Sequence, residues 1–390
     1  MTPKSDLNVR HTSPAFRTFA GERALTALPR ELDRTGSSRA VIICIPAVAA
    51  HGEAMARVRA VLGERLVGQF DGVEEHSPLP SVEQARDFLA ECKADAVIAI
   101  GGGSSVVTAR AATILLGEGQ GIRELCTRRE ADGRLVSPRL SAPKLPQWVV
   151  PSSPTTAYAK AGAAVRDPET GERLALFDPK ARAQGVVLDP VVALTAPPRL
   201  SWSAALNVLA MAVEGLQSLN SDPLAEASLA HALRTVVTRL PRVAADPSDA
   251  TARLELMLAA VMSGQGSDHT GGGLAQALAH AIGPRSSAPN GVVEALLLPH
   301  ALRFNQPVAG HRIAALGEYL GLREASPEAV VAEVERLLAT FDVPRRLQDI
   351  DVAKEALAEA AVHAMDDWAI TAGPRPPEAD DVRALLDAAW

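Results

Sequence analysis

Two stretches of this chain carry residue types that can hold a phosphorylated cofactor. The first is Gly101-Gly102-Gly103-Ser104, directly after the apolar run ADAVIAI at 94–100. Three glycines let a backbone approach a diphosphate without obstruction by Cβ. Ser104 and Ser105 can cap the helix that follows, whose amino end favours an anion. The same triplet also suits a tight strand-to-helix turn that holds no ligand, and the tripeptide alone leaves both readings open. The second stretch is Pro154-Thr155-Thr156, after the run QWVVP at 147–151. Hydroxyls at the carboxyl end of a parallel strand can meet a nucleotide phosphate or ribose; they can equally cap a turn.

Candidate chemistry clusters around these stretches. Tyr158 can donate a proton or pack in a core. Lys160 can bind a carboxylate, contact phosphate or polarise a carbonyl, or stay solvated. His280 lies one helical turn after Gln276, hence on the same face. Its imidazole can donate a proton or hydrogen bond to a carbonyl oxygen, or be a satisfied core histidine. His269, in the glycine-flanked SDHTGGGL, suits a cleft-facing loop or the surface. Arg285 can clamp an anion, Asp268 and Glu294 are acids without an evident partner, and His300 reads as structural.

The elements that must position these residues follow from hydrophobic patterning. Apolar runs at 39–46, 94–100, 147–151 and 185–188 predict buried strands, and 52–63 predicts a helix. Continuous apolar strands separated by helices indicate a parallel sheet covered on both faces. Residues 164–180 predict a hairpin about Asp167-Pro168-Glu169-Thr170-Gly171. After Asp189-Pro190 and Pro197-Pro198, Ala- and Leu-rich helical periodicity runs to the end. The expectation is an α/β nucleotide-binding domain with a Rossmann-like parallel sheet over 1–190. An all-α substrate domain would cover 191–390, with the ligand in the cleft between them.

Composition narrows the function further. The 390 residues are 47% hydrophobic and 22% charged, with a net charge of −7 and 3% aromatics. A nucleic-acid partner held by a basic field or an aromatic platform is disfavoured. Cys44, Cys92 and Cys126 form no CxxC pair, which excludes a disulfide scaffold or a Cys-ligated zinc site. MTPKSDLNVRHTSPAF lacks the apolar core of a signal peptide, and no apolar run reaches about 18 residues. The expectation is a soluble cytoplasmic protein with a small-molecule substrate, no nucleic acid and no membrane.

Read together, the motifs resemble the iron-containing alcohol dehydrogenase family. Its landmarks occur in family order: GGGSSVVTAR at 101–110, PTT at 154–156, DPETG at 167–171, LDPVVALTAPPRL at 188–200 and LNVLAMAVEG at 206–215. GGGLAQALAHAIG at 271–283, APNGVVEALLLPHALRFN at 288–305 and GPRPPEADDVRALLDAAW at 373–390 complete the series. The resemblance implies hydride transfer between NAD(P)H and a carbonyl or alcohol. Gly101, Gly102, Gly103 and Ser104 would hold the pyrophosphate, and Thr155 and Thr156 would contact the cofactor. Val107 and Arg110 replace the Asp and Lys of the family's longer loop pattern. Ile45 stands where NAD-preferring members often carry Asp, so the choice between NAD and NADP stays open.

Most members of that family hold Fe²⁺ or Zn²⁺ with one Asp and three His. The matching positions here are Asn207, Met211, Gln276 and Asn290, at preserved spacing. Amide oxygens are poor ligands for these ions, and a thioether suits Cu(I). No metal is therefore expected, and the three amides would form a polar network or bind substrate. The maleylacetate reductase branch, which also has Asn at the first ligand position, is the nearest resemblance. It normally keeps several of the histidines that this chain lacks. The implied function is metal-independent reduction of an activated carbonyl, enone or imine, with His280, Lys160 and Tyr158 as the catalytic candidates. The alternative is a member repurposed for non-redox chemistry or for binding. Family members commonly pair through strands of the amino-terminal domain. An exposed edge strand near 14–20 would then make a homodimer.

Overall fold

The computed structural model describes residues 9–130, 132 and 134–390. Six parallel strands form the main sheet: β1 Arg17–Ala20, β2 Ala40–Cys44, β3 Leu66–Phe70, β4 Ala96–Gly101, β5 Gln147–Pro151 and, after the hairpin β6 Gly162–Arg166 and β7 Arg173–Phe177, β8 Gly185–Leu188. Their spatial order is β1-β8-β5-β4-β2-β3. The central strands β2, β4, β5 and β8 are buried along their whole length, which is why they read as unbroken apolar runs. The expected hairpin is present, with Arg166 opposite Arg173. The edge strand expected near 14–20 is β1, which is mostly exposed.

Strand β3 is an element that the sequence reading missed. It is half-buried throughout and carries Gly68 and Gln69 in an otherwise apolar run. Gly68 packs so closely on Cys92 that an added Cβ would stand 2.7 Å from Sγ. An edge strand with no fully buried face gives little periodic signal.

The sheet order reverses direction at β2, with β3 on one side and β4 leading to β5 on the other. Ligands of open parallel sheets bind at the carboxyl ends of strands beside such a switch point. Register makes the consequence specific: Gly101 pairs with Pro151, so the glycine loop and the Pro154–Thr156 turn leave the sheet side by side.

Every regular element after Leu188 is helical. The principal helices are α2 Pro198–Gln217, α3 Pro223–Ala245, α4 Ala250–Thr270, α5 Leu274–Ile282 and α6 Asn290–Leu320; α1, Gly103–Glu118, follows the glycine loop. Helix α6 kinks at Ala309, two residues after Pro307 removes a backbone donor. Leu206, Leu209, Leu229, Leu233, Leu256, Leu278 and Leu297 lie in one buried core that continues to Val149 and Leu188 of the sheet. The two halves thus share apolar packing. Among the described residues no helix is long and apolar enough to cross a membrane.

Candidate active site

The glycine loop has the conformation its residues suggest. Gly101 sits at φ +133°, where an added Cβ would also stand 2.6 Å from Ser105 Oγ. A Cβ on Gly102 or Gly103 would meet Ser153 Oγ at 3.2 Å or Thr155 Oγ1 at 3.4 Å. The first turn of α1 has no side-chain cap and no acid, so its free N–H groups remain available to an anion. Ser105 Oγ is buried without a partner. These features fit a dinucleotide pyrophosphate. Ser104 is turned otherwise: its Oγ accepts from the His76 amide at 3.2 Å, and its carbonyl accepts from Ser77 Oγ.

The Thr155–Tyr158 turn is braced from within. Thr155 Oγ1 accepts from the Ala157 amide at 3.3 Å. Tyr158 is fully buried; its hydroxyl accepts from the Thr155 amide and donates to the Ser153 carbonyl. This corrects the expectation of Tyr158 as a proton donor, because both functions of its hydroxyl serve the turn and burial pushes its pKa further up. Arg110, also buried, donates to the carbonyls of Gly162 at 2.7 Å and Ala157 at 2.8 Å. It ties α1 to the turn and the hairpin, so this departure from the family pattern has a local structural use.

Thr156 links the turn to the helical half. Its Oγ1 donates to Asn207 Oδ1 at 3.3 Å, and Asn207 Nδ2 donates to Glu294 Oε2. Glu294 is 2% exposed, and its Oε1 has no partner. Burial, reinforced by the neighbouring Glu214, pushes its pKa up to about 8. Of the other positions matched to the family's ligands, Met211 is buried and Gln276 is buried with Oε1 unpartnered. Asn290 is exposed at the start of α6. No hydrogen bond joins the amides of Asn207, Gln276 and Asn290 to one another among the described residues. Glu294, one turn further along α6, joins Asn207 instead, and that i,i+4 spacing was the signal available in the sequence.

Lys160 and His280 complete the surroundings. The Lys160 ammonium makes no hydrogen bond or ion pair among the described residues and lies 6.0 Å from the Trp368 ring. Burial lowers its pKa, against the pull of Glu294 and Asp268. His280 Nδ1 is 2.7 Å from Asp367 Oδ2. Burial and then Arg173 push its pKa below 6.5, Asp367 opposing, so the imidazole is neutral near pH 7 with Nδ1–H on the carboxylate. Arg173, from the hairpin, was missed by sequence reading. It makes no hydrogen bond or ion pair among the described residues and acts electrostatically on Asp367 and Glu294. An arginine at the end of an alternating strand carries no signal of the face it meets. The remaining candidates have partners elsewhere: Asp268 pairs with Arg182 at 2.8 Å, and Arg285 with Glu359 at 3.1 Å.

Two sequence models of one family match this chain. "Iron-containing alcohol dehydrogenase" covers residues 15–190, and "Fe-containing alcohol dehydrogenase family, C-terminal" covers residues 202–390. The chain belongs to the iron-containing alcohol dehydrogenase family. Maleylacetate reductase 1 of Cupriavidus pinatubonensis is 28% identical over 372 residues, covering 95% of this chain and 94% of that protein. Lactaldehyde reductase of Escherichia coli is 27% identical over 379 residues, covering 95% and 97%. The alcohol dehydrogenase from Oenococcus oeni superposes with a TM-score of 0.89 at 22% identity, over 97% of this chain and 99% of that one, which shows the shared fold.

Proposed function

We propose that the chain is a metal-independent NAD(P)H-dependent reductase of an activated carbonyl, enone or imine, with Glu294 as the proton donor. The observation that carries this reading is the Thr156–Asn207–Glu294 chain, which occupies the position of the family's first metal ligand. The donors here do not fit Fe²⁺ or Zn²⁺. Asn207 is engaged through both ends of its amide, Asn290 is an exposed amide, Met211 offers a thioether, and Glu294 adds a single carboxyl. The open amino end of α1 and Gly101–Gly103 fit the cofactor's pyrophosphate, with Thr155 and Thr156 at its other end.

NAD(P)H, when bound, supplies the hydride. The chain's own residues handle the oxygen or nitrogen that gains charge. Thr156 fixes the Asn207 amide so that Nδ2 faces Glu294. Asn207 donates to Oε2, which leaves the carboxyl proton on Oε1, the atom with no partner. Oε1–H then donates to the substrate, and Asn207 and Lys160 stabilise the resulting carboxylate. One donor to a developing oxyanion contributes about 3–4 kcal/mol. The Glu294 proton therefore supplies a large part of the several kcal/mol that a Lewis acid provides, and an electron-poor acceptor needs less. This assigns the proton to Glu294 rather than to His280, whose neutral ring orients and accepts. Cofactor titration followed by a screen of activated carbonyls and imines, with and without chelator, tests the reading. Chelator-sensitive turnover would reject metal independence, and the absence of any hydride transfer would favour a non-redox role.

The same proposal includes a homodimer. Among the described residues no strand pairs with the outer side of β1, and a hollow of about 820 Å³ lined by Phe19, Arg23, Arg30 and Arg34 lies beside it. Sedimentation at micromolar concentration should give twice 40.9 kDa; a clean monomer would reject it.

A further inference from the structure

Three ligand-bearing side chains meet where the amino-terminal segment crosses the helical half. His11 precedes β1, Asp222 caps the amino end of α3, and His269 is the penultimate residue of α4. His11 Nδ1 lies 2.9 Å from Asp222 Oδ2, and His269 Nε2 lies 3.2 Å from the same oxygen. The two rings stand 4.3 Å apart. One ligand atom from each residue falls within 4.8 Å of the other two. Around a tetrahedral zinc ion with bonds of about 2.0–2.1 Å, adjacent ligand atoms stand about 3.3 Å apart. The contacts to Asp222 are already within a few tenths of an ångström of that spacing.

The atoms that would not bind the ion are held in place. Asp222 Oδ1 accepts from the amides of Leu224 at 3.0 Å and Ala225 at 2.8 Å, so the α3 cap orients Oδ2 toward the imidazoles. His11 Nε2 is 3.1 Å from Ser13 Oγ. A proton on Nε2 donated there leaves the Nδ1 lone pair free. Such fixing of ligand tautomer and carboxylate orientation is what supports metal sites. The side chains are sheltered, at 13% exposure for His11, 11% for Asp222 and 19% for His269.

We propose that His11, Asp222 and His269 bind one divalent cation of zinc type, at a site separate from the family's metal position. Two imidazoles and one carboxylate suit Zn²⁺, with water as the fourth ligand. The ion ties residue 11 to residues 222 and 269. It fixes the segment entering β1 and the end of α4, just before the glycines that lead into the helix of Gln276 and His280.

The test is titration of the full, untagged, chelator-stripped chain with Zn²⁺, and with Co²⁺ to report geometry by visible absorption. One Zn²⁺ per chain and a tetrahedral cobalt spectrum are expected. His11→Ala and His269→Ala should each weaken affinity at least about 100-fold, beyond the span for groups that only orient ligands. Gln276→Ala should leave it unchanged. His11 lies in an irregular segment before β1 and outside the apolar core, so its variant is expected to keep the fold. No uptake of Zn²⁺, or uptake unaffected by either histidine variant, overturns the proposal. Uptake lost only in Gln276→Ala would place the ion at the family position and would overturn the metal-independent reading as well.

Discussion

Two glycine triplets precede helices in this molecule, and their roles are opposite. Gly101–Gly103 leads into α1, whose first turn carries neither cap nor acid. Gly271–Gly273 leads into α5, whose amino end is filled by Glu214: its carboxylate oxygens accept from the amides of Ala275 at 2.6 Å and Gln276 at 3.1 Å. Gly271 takes φ +82°, and a Cβ on Gly273 would collide with the Glu214 side chain. The first triplet lets an outside anion approach a helix dipole, and the second lets an internal one do so. A glycine run before a helix therefore predicts close approach of an acceptor, and only the surroundings decide whether that acceptor is a ligand.

The largest expected effect separates side-chain chemistry in the cleft from backbone geometry in the loop. Glu294→Gln keeps the hydrogen bond to Asn207 but has no proton to give. Its kcat should fall about 10²–10⁴-fold, the usual span for a general acid, while cofactor affinity holds. In the parent protein, kcat for reduction should decline as pH rises through about 8, where Glu294 ionises, and the variant should lose that limb. If His280→Ala costs more than Glu294→Gln, or the pH limb survives, the proton comes from elsewhere.

The triplets themselves give the next contrasts. Gly273→Val forces a branched side chain against Glu214 and should cost about 1–3 kcal/mol in denaturant unfolding. Gly102→Val meets only Ser153 Oγ, at 3.2 Å, and should leave stability within about 1 kcal/mol. Its nicotinamide affinity should nonetheless drop at least about tenfold, or 1.4 kcal/mol. Reversed outcomes would mean that the loop at 101 is a turn without a ligand.

The last contrast is a slope. Burial raises Glu214 to about 7 and Glu294 to about 8 from 4.5, so the folded state keeps these protons longer than the unfolded chain does. Their contribution is full below about 4.5 and is lost as pH rises through about 8. Urea midpoints for the parent should carry this downward component, and Glu294→Gln should flatten its upper part. Identical pH dependence in both would indicate that Glu294 ionises normally.

Much of this protein was legible without coordinates. Unbroken apolar runs specified the central strands, because a strand buried on both faces has no polar positions to interrupt it. The turn at 167–171 specified the hairpin, and the resemblance raised the expectation that Asn207, Met211, Gln276 and Asn290 stand at the family's ligand positions. The tertiary structure decided what surrounds them. Local periodicity says which residues share a helix face, but not which distant atoms that face meets. Asn207, Thr156 and Glu294 come from three segments far apart in the chain, and the register of Gly101 with Pro151 helps to align them. The state of His280 depends on Asp367 and on an arginine from the hairpin. Likewise, Tyr158 became a brace only once Ser153 and Thr155 closed around its hydroxyl. Partners and burial set these side chains' hydrogen bonds and pKa values, and outside the local Tyr158 turn the partners come from elements distant in the chain.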